Sequence, residues 1–159
     1  MSQKNNISIN QFINTIAPYV ILEYQLSHIL PSITIGQGIL ESGYGNHAPG
    51  NNLFGIKGSY RGKSQLLWTT EYVNGKYVRQ LCKFRKYDTW YDSIADHSWL
   101  LCSAPKYKKL IGCTDYVRAA QYLKAAGYAT APDYDTKLIK VIESNDLTRF
   151  DKEAFKNYG

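Results

Sequence analysis

The sequence lacks the cysteine and histidine patterns that bind metals or build disulfide frameworks. Its 3 cysteines are an odd number without CxxC spacing, which is typical of a chain made in a reducing compartment. The 3 histidines show no HExxH or other regular metal spacing, and the chain has no Walker loop, GxGxxG fingerprint or GxSxG elbow. We therefore expect neither a metal nor an organic cofactor.

Long apolar runs are missing as well. The start, MSQKNNISIN, is polar and has no apolar core of the kind found in signal peptides. No run approaches the ~20 apolar residues that cross a bilayer. We expect a chain that does not insert into membranes and that reaches any target outside the membrane without a signal peptide.

Acidic residues are fewer than basic ones, 13 against 19, and the formal net charge is +6. Such an excess favours an anionic partner, either nucleic acid or the anionic polymers of a Gram-positive wall. The densest basic run, KYKK at 106–109, is too short for a nucleic-acid-binding arm and is typical of a solvated helix end. We therefore expect no specific nucleic-acid partner.

Tyrosine, by contrast, is abundant, with 14 copies among 159 residues. Its flat ring stacks on sugar faces while its hydroxyl forms hydrogen bonds, so the composition suits a carbohydrate-binding groove. The alternative is that many of these rings are simply half-buried at the surface.

The first third of the chain predicts two helices. Ser8 and Gln11 have the spacing of a capping box, and the apolar residues that follow predict a helix over 9–29. A second helix begins at Pro31 and ends before Gly43, which has the place of a C′ glycine. Because this helix tolerates two internal glycines, we expect it to be buried and packed closely against another backbone.

A β-hairpin is predicted next. Asn74-Gly75 between β-rich runs indicates a two-residue type I′ turn, in which Glu71 lies opposite Val78. Helices are then predicted over 89–103, 114–126 and 133–145. We predict one mostly helical α+β domain over 1–147, with 148–159 as a terminal helix or the start of a linker.

Two carboxylates have positions suited to cleavage of a glycosidic bond, which needs a proton donor and a second group that activates water, attacks carbon or stabilises positive charge. Glu41 lies in the last turn of the second helix, where the helix dipole and apolar neighbours raise the pKa of a carboxyl. Glu71 on the hairpin is its candidate partner across a cleft. The alternatives are an exposed helix-end residue for Glu41 and an ion pair with Lys76 or Arg79 for Glu71.

A cysteine peptidase is the rival chemistry. It would pair Cys82 or Cys102 with His97, but both cysteines lie in apolar-flanked segments without an activating neighbour. We expect His97, which lies in a helical pattern, to be a hydrogen-bonded structural residue.

Five segments follow one another along about residues 8–145: ILPSITIGQGILESGYG, NNLFGIKG, WTTEYVNGKYV, FRKYDTWYDSIADHSWLL and AAGYATAPDY. This ordered set resembles glycoside hydrolase family 73, the lysozyme-like peptidoglycan N-acetylglucosaminidases of autolysins, flagellar rod-cap hydrolases and phage lysins. The combination is specific, whereas no single segment would suffice. The resemblance implies a lysozyme-like α+β fold and hydrolysis of the β-1,4 bond after N-acetylglucosamine.

The resemblance also implies roles for individual residues. The general acid of the family is the Glu of LESG, which matches Glu41, and the second carboxylate, in TTEY, matches Glu71. A tyrosine of GYAT that matters for activity matches Tyr128. Five residues are expected to bind substrate, with Phe54 as the sugar-stacking platform: Tyr44, Asn52, Phe54, Lys57 and Tyr134.

Two positions depart from the family pattern. Tyr44 stands where the family commonly has Trp after ESG, which would either weaken stacking or shift the subsite preference. Ala131 stands where an Asp usually precedes the proline of the GYAT segment, so Thr130 or Asp133 would have to cap the last helix.

We therefore predict a monomeric endo-β-N-acetylglucosaminidase that acts on peptidoglycan glycan strands. The expected context is a phage endolysin, held in the host cytoplasm until release to the wall, and the alternative is the domain of a secreted or wall-bound autolysin. A muramidase of the same fold and a non-catalytic wall-binding module are the alternative functions.

Overall fold

A computed structural model describes residues 7–159 of the chain. The polar start, on which the expectation of no signal peptide rests, lies largely outside the described residues. The described part consists of helices and one pair of strands, in the order α1 (Ile9–Ser27), α2 (Pro31–Ser42), β1 (Ser64–Val73), β2 (Lys76–Arg85), α3 (Trp90–Ser103), α4 (Tyr116–Ala125), α5 (Tyr134–Ser144) and α6 (Thr148–Tyr158). Short 3-10 turns at Pro49–Asn51 and Pro105–Leu110 lie in the connections. The predicted mostly helical α+β class is confirmed.

Helix α1 begins as its sequence predicts. The Ser8 side chain accepts a hydrogen bond from the Gln11 N–H, and the Gln11 side chain accepts one from the Ser8 N–H, which completes the capping box. The helix ends two residues earlier than predicted because His28 adopts the left-handed conformation, with φ of 53°. Within residues 7–159, no helix combines the length and apolar character needed to cross a membrane.

Helix α2 is the buried centre of the domain, and its predicted bounds at Pro31 and Gly43 are confirmed. The expectation that its glycines pack against another backbone is wrong. A Cβ on Gly36 would lie 2.9 Å from the side chain of Leu138 on α5, and a Cβ on Gly38 would meet the rings of Phe12 and Phe54. The two glycines therefore admit large apolar side chains of neighbouring segments, which lets α2 lie deep in the core.

The hairpin has the predicted turn and register. Asn74 and Gly75 both have positive φ, 52° and 80°, and Glu71 lies opposite Val78. One face of the two-stranded sheet turns toward the helical body, whereas large side chains of the other face, including Trp68 and Leu81, are exposed.

Helix α6 occupies most of the segment 148–159 and packs on the domain that was predicted to end at residue 147. Phe150 and Ala154 of α6 are buried in the core shared with α1 and α2. The Asp151 carboxylate accepts hydrogen bonds from the N–H of Ser32 at 2.8 Å and from its hydroxyl at 2.6 Å. Leu30, at the N-cap position of α2, provides no side-chain cap. Asp151 therefore caps α2 from the far end of the chain.

Candidate active site

A cleft of about 800 Å³ lies between the hairpin and the helical body. Its walls come from the end of α2, the 52–57 loop, the inward face of β1 and the 127–131 segment that follows α4. Both candidate carboxylates, Glu41 and Glu71, line this cleft. Its volume falls within the range of small-molecule binding sites, roughly 300–1,000 Å³.

Glu41 lies in the last turn of α2, at the cleft surface. Its side chain keeps contact with solvent through the cleft, while protein atoms surround it on the other sides. Although the residue is exposed at the cleft surface, desolvation of its carboxyl by the surrounding protein atoms, and secondarily the negative charge of Glu71, raises the pKa of Glu41 to about 7. Glu41 therefore keeps its proton through the acidic range and loses it around neutral pH.

Gly55 makes room for the Glu41 carboxyl. A Cβ at this position would lie 3.1 Å from the Glu41 Oε2 atom, which is tighter than ordinary van der Waals contact. The backbone of Gly55 is also left-handed, with φ of +62°, a conformation that glycine adopts at little cost.

Glu71 projects from β1 and is held at both carboxylate oxygens. The Lys57 Nζ atom donates to Oε1 at 2.8 Å, and the Thr130 hydroxyl donates to Oε2 at 2.7 Å. Burial by itself would raise the pKa of Glu71, but the hydrogen bonds from Lys57 and Thr130 and the Lys57 charge outweigh it and lower the pKa. The alternative that Glu71 balances Lys76 or Arg79 is wrong, because its ion-pair partner is Lys57.

Two tyrosines form a stacked pair in the cleft wall. The rings of Tyr128 and Tyr134 are 5.8 Å apart at an interplanar angle of 23°. Tyr128 is half-buried, and its hydroxyl donates to the Phe54 carbonyl at 3.1 Å. Tyr134 is only 4% exposed, and its hydroxyl accepts a hydrogen bond from Gln37 on α2. Tyr134 therefore supports Tyr128 from behind, and most of its ring is withheld from a ligand.

Two expected substrate-binding residues are structural instead. Phe54 is 1% exposed and stacks on His97 at 4.0 Å, so the expectation of a sugar-stacking platform is wrong. Asn52 is 6% exposed, and its side-chain amide bonds to the backbone of Ile56 and Arg85, which fixes the loop and leaves little for a ligand.

Besides Tyr134, two expected substrate-binding residues remain, and they have different surroundings. Lys57 lines the cleft with half of its side chain exposed. Tyr44 is exposed, with φ of 45°, but it is not among the residues that line the cleft. Of these two, Lys57 alone faces the space that holds the carboxylates.

His97 is the structural residue that its helical pattern predicts. It is fully buried, and its Nε2 atom lies 2.8 Å from the Gln37 side-chain oxygen. Burial lowers the pKa of His97 to about 3, so the ring is neutral. The cysteine-peptidase pairing is wrong, because His97 bonds to Gln37 and the Cys102 thiol contacts the Ser27 carbonyl.

Thr130 lies in the candidate site, although its place in the sequence suggested only a cap of the last helix. Asp133 occupies the N-cap position of α5 without a side-chain hydrogen bond, and Thr130 lies in the cleft wall with its hydroxyl on Glu71. Neither residue is the side-chain cap that was expected.

Among residues 7–159, no three His, Cys, Asp or Glu side chains converge as a metal site would require.

A model of the glucosaminidase family, described as mannosyl-glycoprotein endo-beta-N-acetylglucosaminidase, matches residues 17–147. The chain belongs to this family. The resemblance to glycoside hydrolase family 73 is thereby confirmed. The matched region contains both carboxylates, the tyrosine pair and Thr130.

Relatives of the family support the same assignment. The exo-glucosaminidase LytG of Bacillus subtilis (strain 168) is 40% identical over 149 residues, which is 89% of this chain and 53% of LytG. A probable N-acetylmuramidase of Lactococcus lactis subsp. lactis (strain IL1403) is 36% identical over 95% of this chain and 37% of its own length. The chain thus spans about half or less of these relatives.

A solved structure shares the architecture. The crystal structure of a peptidoglycan hydrolase mutant from Sphingomonas sp. A1 has a TM-score of 0.80 and 32% identity, and covers 88% of this chain and 96% of that chain. The predicted lysozyme-like fold is confirmed.

Proposed function

We propose that this domain is a peptidoglycan hydrolase, an endo-β-N-acetylglucosaminidase that cleaves the β-1,4 bond after N-acetylglucosamine. The observation that carries the proposal is the opposite displacement of two carboxyl pKa values in one cleft. The pKa of Glu41 is raised to about 7, and that of Glu71 is lowered. Glycoside hydrolysis typically uses one protonated carboxyl as the acid and one ionised carboxyl as its partner, and their surroundings keep the two pKa values apart.

Each carboxyl then has one role. Glu41, which keeps its proton up to about neutral pH, donates it to the oxygen of the leaving sugar. Glu71 stays ionised, because Lys57 and Thr130 stabilise its charge, and it either activates a water molecule or stabilises the positive charge that develops on the sugar ring. Tyr128, fixed to the Phe54 carbonyl, borders the same space.

The direct test of the acid is Glu41→Gln, which keeps the shape of the side chain but cannot donate a proton. We expect the release of new reducing ends from purified peptidoglycan to fall by roughly 10²–10⁴-fold, while binding to the wall persists. Glu143→Gln, an exposed carboxylate of α5 outside the cleft, is the matched control and should keep full activity. Persistent hydrolysis by Glu41→Gln would show that another group is the acid.

The same assay separates the alternative functions. A non-catalytic wall-binding module would release no reducing ends in any variant. The probable N-acetylmuramidase among the relatives favours a second candidate, a muramidase with the same acid. Mass spectrometry decides between them, because a glucosaminidase leaves reducing ends on N-acetylglucosamine and a muramidase leaves them on N-acetylmuramic acid.

The mode of attack needs a separate measurement. LytG is an exo-glucosaminidase by its name, whereas the family model is described as an endo-enzyme. We propose internal cleavage for this domain. An endo-enzyme releases a broad range of glycan lengths early in digestion, and accumulation of single terminal sugars alone would refute it.

We propose that the domain acts at the wall and that its net charge of +6 adds attraction to anionic wall polymers. Removal of these polymers should then weaken retention on the wall at low salt. For the proposed endolysin role, lysis of a host from inside should require co-expression of this chain with a membrane pore. Lysis by the chain alone would contradict that role.

A further inference from the structure

The Thr130 side chain, in the loop between α4 and α5, forms hydrogen bonds to the hairpin. We propose that Thr130 is a positioning residue of the reaction, whose hydroxyl fixes the Glu71 carboxylate and fastens the hairpin to the opposite wall of the cleft. This inference rests on the proposed function, because it assumes that Glu71 takes part in catalysis.

The Thr130 hydroxyl makes two hydrogen bonds whose directions are determined. The Tyr72 N–H donates to Thr130 Oγ1 at 3.0 Å, and the hydroxyl donates to Glu71 Oε2 at 2.7 Å. Since an amide N–H can only donate, the hydroxyl hydrogen remains available for Glu71. The arrangement therefore requires an acceptor at Oε2, which an ionised carboxylate provides.

The Thr130 hydroxyl also accepts a hydrogen bond from the backbone of the hairpin. In a sheet of two strands, each strand has one edge without a partner strand, and the Tyr72 N–H lies on that edge of β1. Thr130 satisfies this N–H directly beside the residue whose carboxylate it holds. The Thr130 side chain thus fixes the position of strand β1 and also the position of the Glu71 carboxylate.

Glu71 is consequently held between two separate loops. Lys57, from the loop after α2, binds Oε1, and Thr130, from the loop after α4, binds Oε2. The Lys57 loop is itself anchored, since the Arg85 N–H donates to the Ile56 carbonyl and the Gly58 N–H to the Lys83 carbonyl. Without the Thr130 hydroxyl, Lys57 alone would hold the Glu71 carboxylate. Both the orientation and the pKa of Glu71 would then change.

The experiment compares Thr130→Val, which removes the hydroxyl but keeps the shape, with Thr130→Ser, which keeps the hydroxyl. Thr136→Val is the matched control, because the Thr136 hydroxyl donates only to a backbone carbonyl at the exposed start of α5. The first readout is the pH profile of hydrolysis. We expect Thr130→Val to lower kcat by roughly tenfold and to move the acid limb to higher pH, with the alkaline limb set by Glu41 unmoved.

Thr130→Ser should recover most of this loss, and Thr136→Val should behave as the wild type. A residue that only fastens the hairpin would lower the rate equally at all pH values. That uniform loss without a shift of the acid limb would overturn the proposal, and so would an unchanged kcat in Thr130→Val.

A second readout does not depend on activity. An NMR titration of the Glu71 carboxyl in a Glu41→Gln background removes the coupling between the two carboxylates. We expect Glu71 to titrate at higher pH in Thr130→Val than in the wild type and Thr130→Ser. Equal titration in all three would refute the positioning role even if the domain is a glucosaminidase. A shifted titration with products of another bond would leave the positioning intact and refute only the proposed function.

Discussion

Replacement of Gly55 by alanine would disturb the candidate acid without changing any ionisable group. The new Cβ would lie 3.1 Å from Glu41 Oε2, so the carboxyl would have to move by a few tenths of an ångström. The new methyl group would also displace solvent from Glu41. Both effects arise from one methyl group at the floor of the cleft.

Two separate costs are expected. The left-handed backbone of Gly55 makes any L side chain unfavourable by about 1–2 kcal/mol, which lowers Tm by a few degrees in a domain of this size. The displaced carboxyl should lower kcat by about tenfold, since a misplacement of about 1 Å can cost about 10²-fold. Because less solvent raises the pKa of a carboxyl, the alkaline limb should move above its wild-type position near pH 7.

Gly62→Ala is the control for the backbone cost. Gly62 has φ of +78°, also left-handed, but a Cβ there would meet nothing within 4 Å. We expect similar losses of Tm in the two variants, measured by thermal unfolding, and a loss of kcat only in Gly55→Ala. Equal rates of reducing-end release from the two variants would refute the reasoning.

Three further predictions concern the charges of the site and the cap of α2. Glu71→Gln removes the charge that, after burial, raises the pKa of Glu41, so the alkaline limb of the remaining activity should move below its wild-type position, and an unmoved limb would contradict the coupling. Because folding raises the pKa of Glu41 from 4.5 to about 7, its ionisation removes stability as pH rises through this window, so Glu41→Gln should raise Tm at pH 8, and a lower Tm would contradict this. Asp151→Ala leaves the buried N–H and hydroxyl of Ser32 without acceptors and should lower the free energy of unfolding by roughly 1–3 kcal/mol in urea, whereas Asp151→Asn keeps an acceptor and should cost less. Since burial raises the pKa of Asp151 to about 6, its contribution to stability is larger at pH 5 than at pH 8, and Asp151→Ala should lose more free energy of unfolding at pH 5. Equal losses in Asp151→Ala and Asp151→Asn would count against the cap.

The elements that could be predicted from sequence are those set by neighbouring residues. The capping box of α1 joins Ser8 and Gln11, and the type I′ turn needs only Asn74 and Gly75. Helix bounds and hairpin register follow from such local chemistry, which explains why they agree closely with expectation. The raised pKa of Glu41 was also foreseeable from its position at the end of an apolar helix.

The parts that could not be predicted depend on residues far apart in the chain. Phe54 is buried because His97, on α3, stacks on its ring. Thr130 and Glu71 are 59 positions apart, and no local pattern indicates that they meet. A motif shows which residues lie near a groove, but whether a side chain faces the ligand or supports its neighbour is decided by tertiary packing.

The cap of α2 also determines when this helix can be completed during synthesis of the chain. Ser32 and Asp151 are 119 positions apart, so a chain made from its N-terminus exposes the start of α2 long before its cap exists. The helix that carries Glu41 is completed only when almost the whole domain has left the ribosome. We therefore expect a growing chain to hold no assembled acid until Asp151 has been synthesised and has left the ribosome.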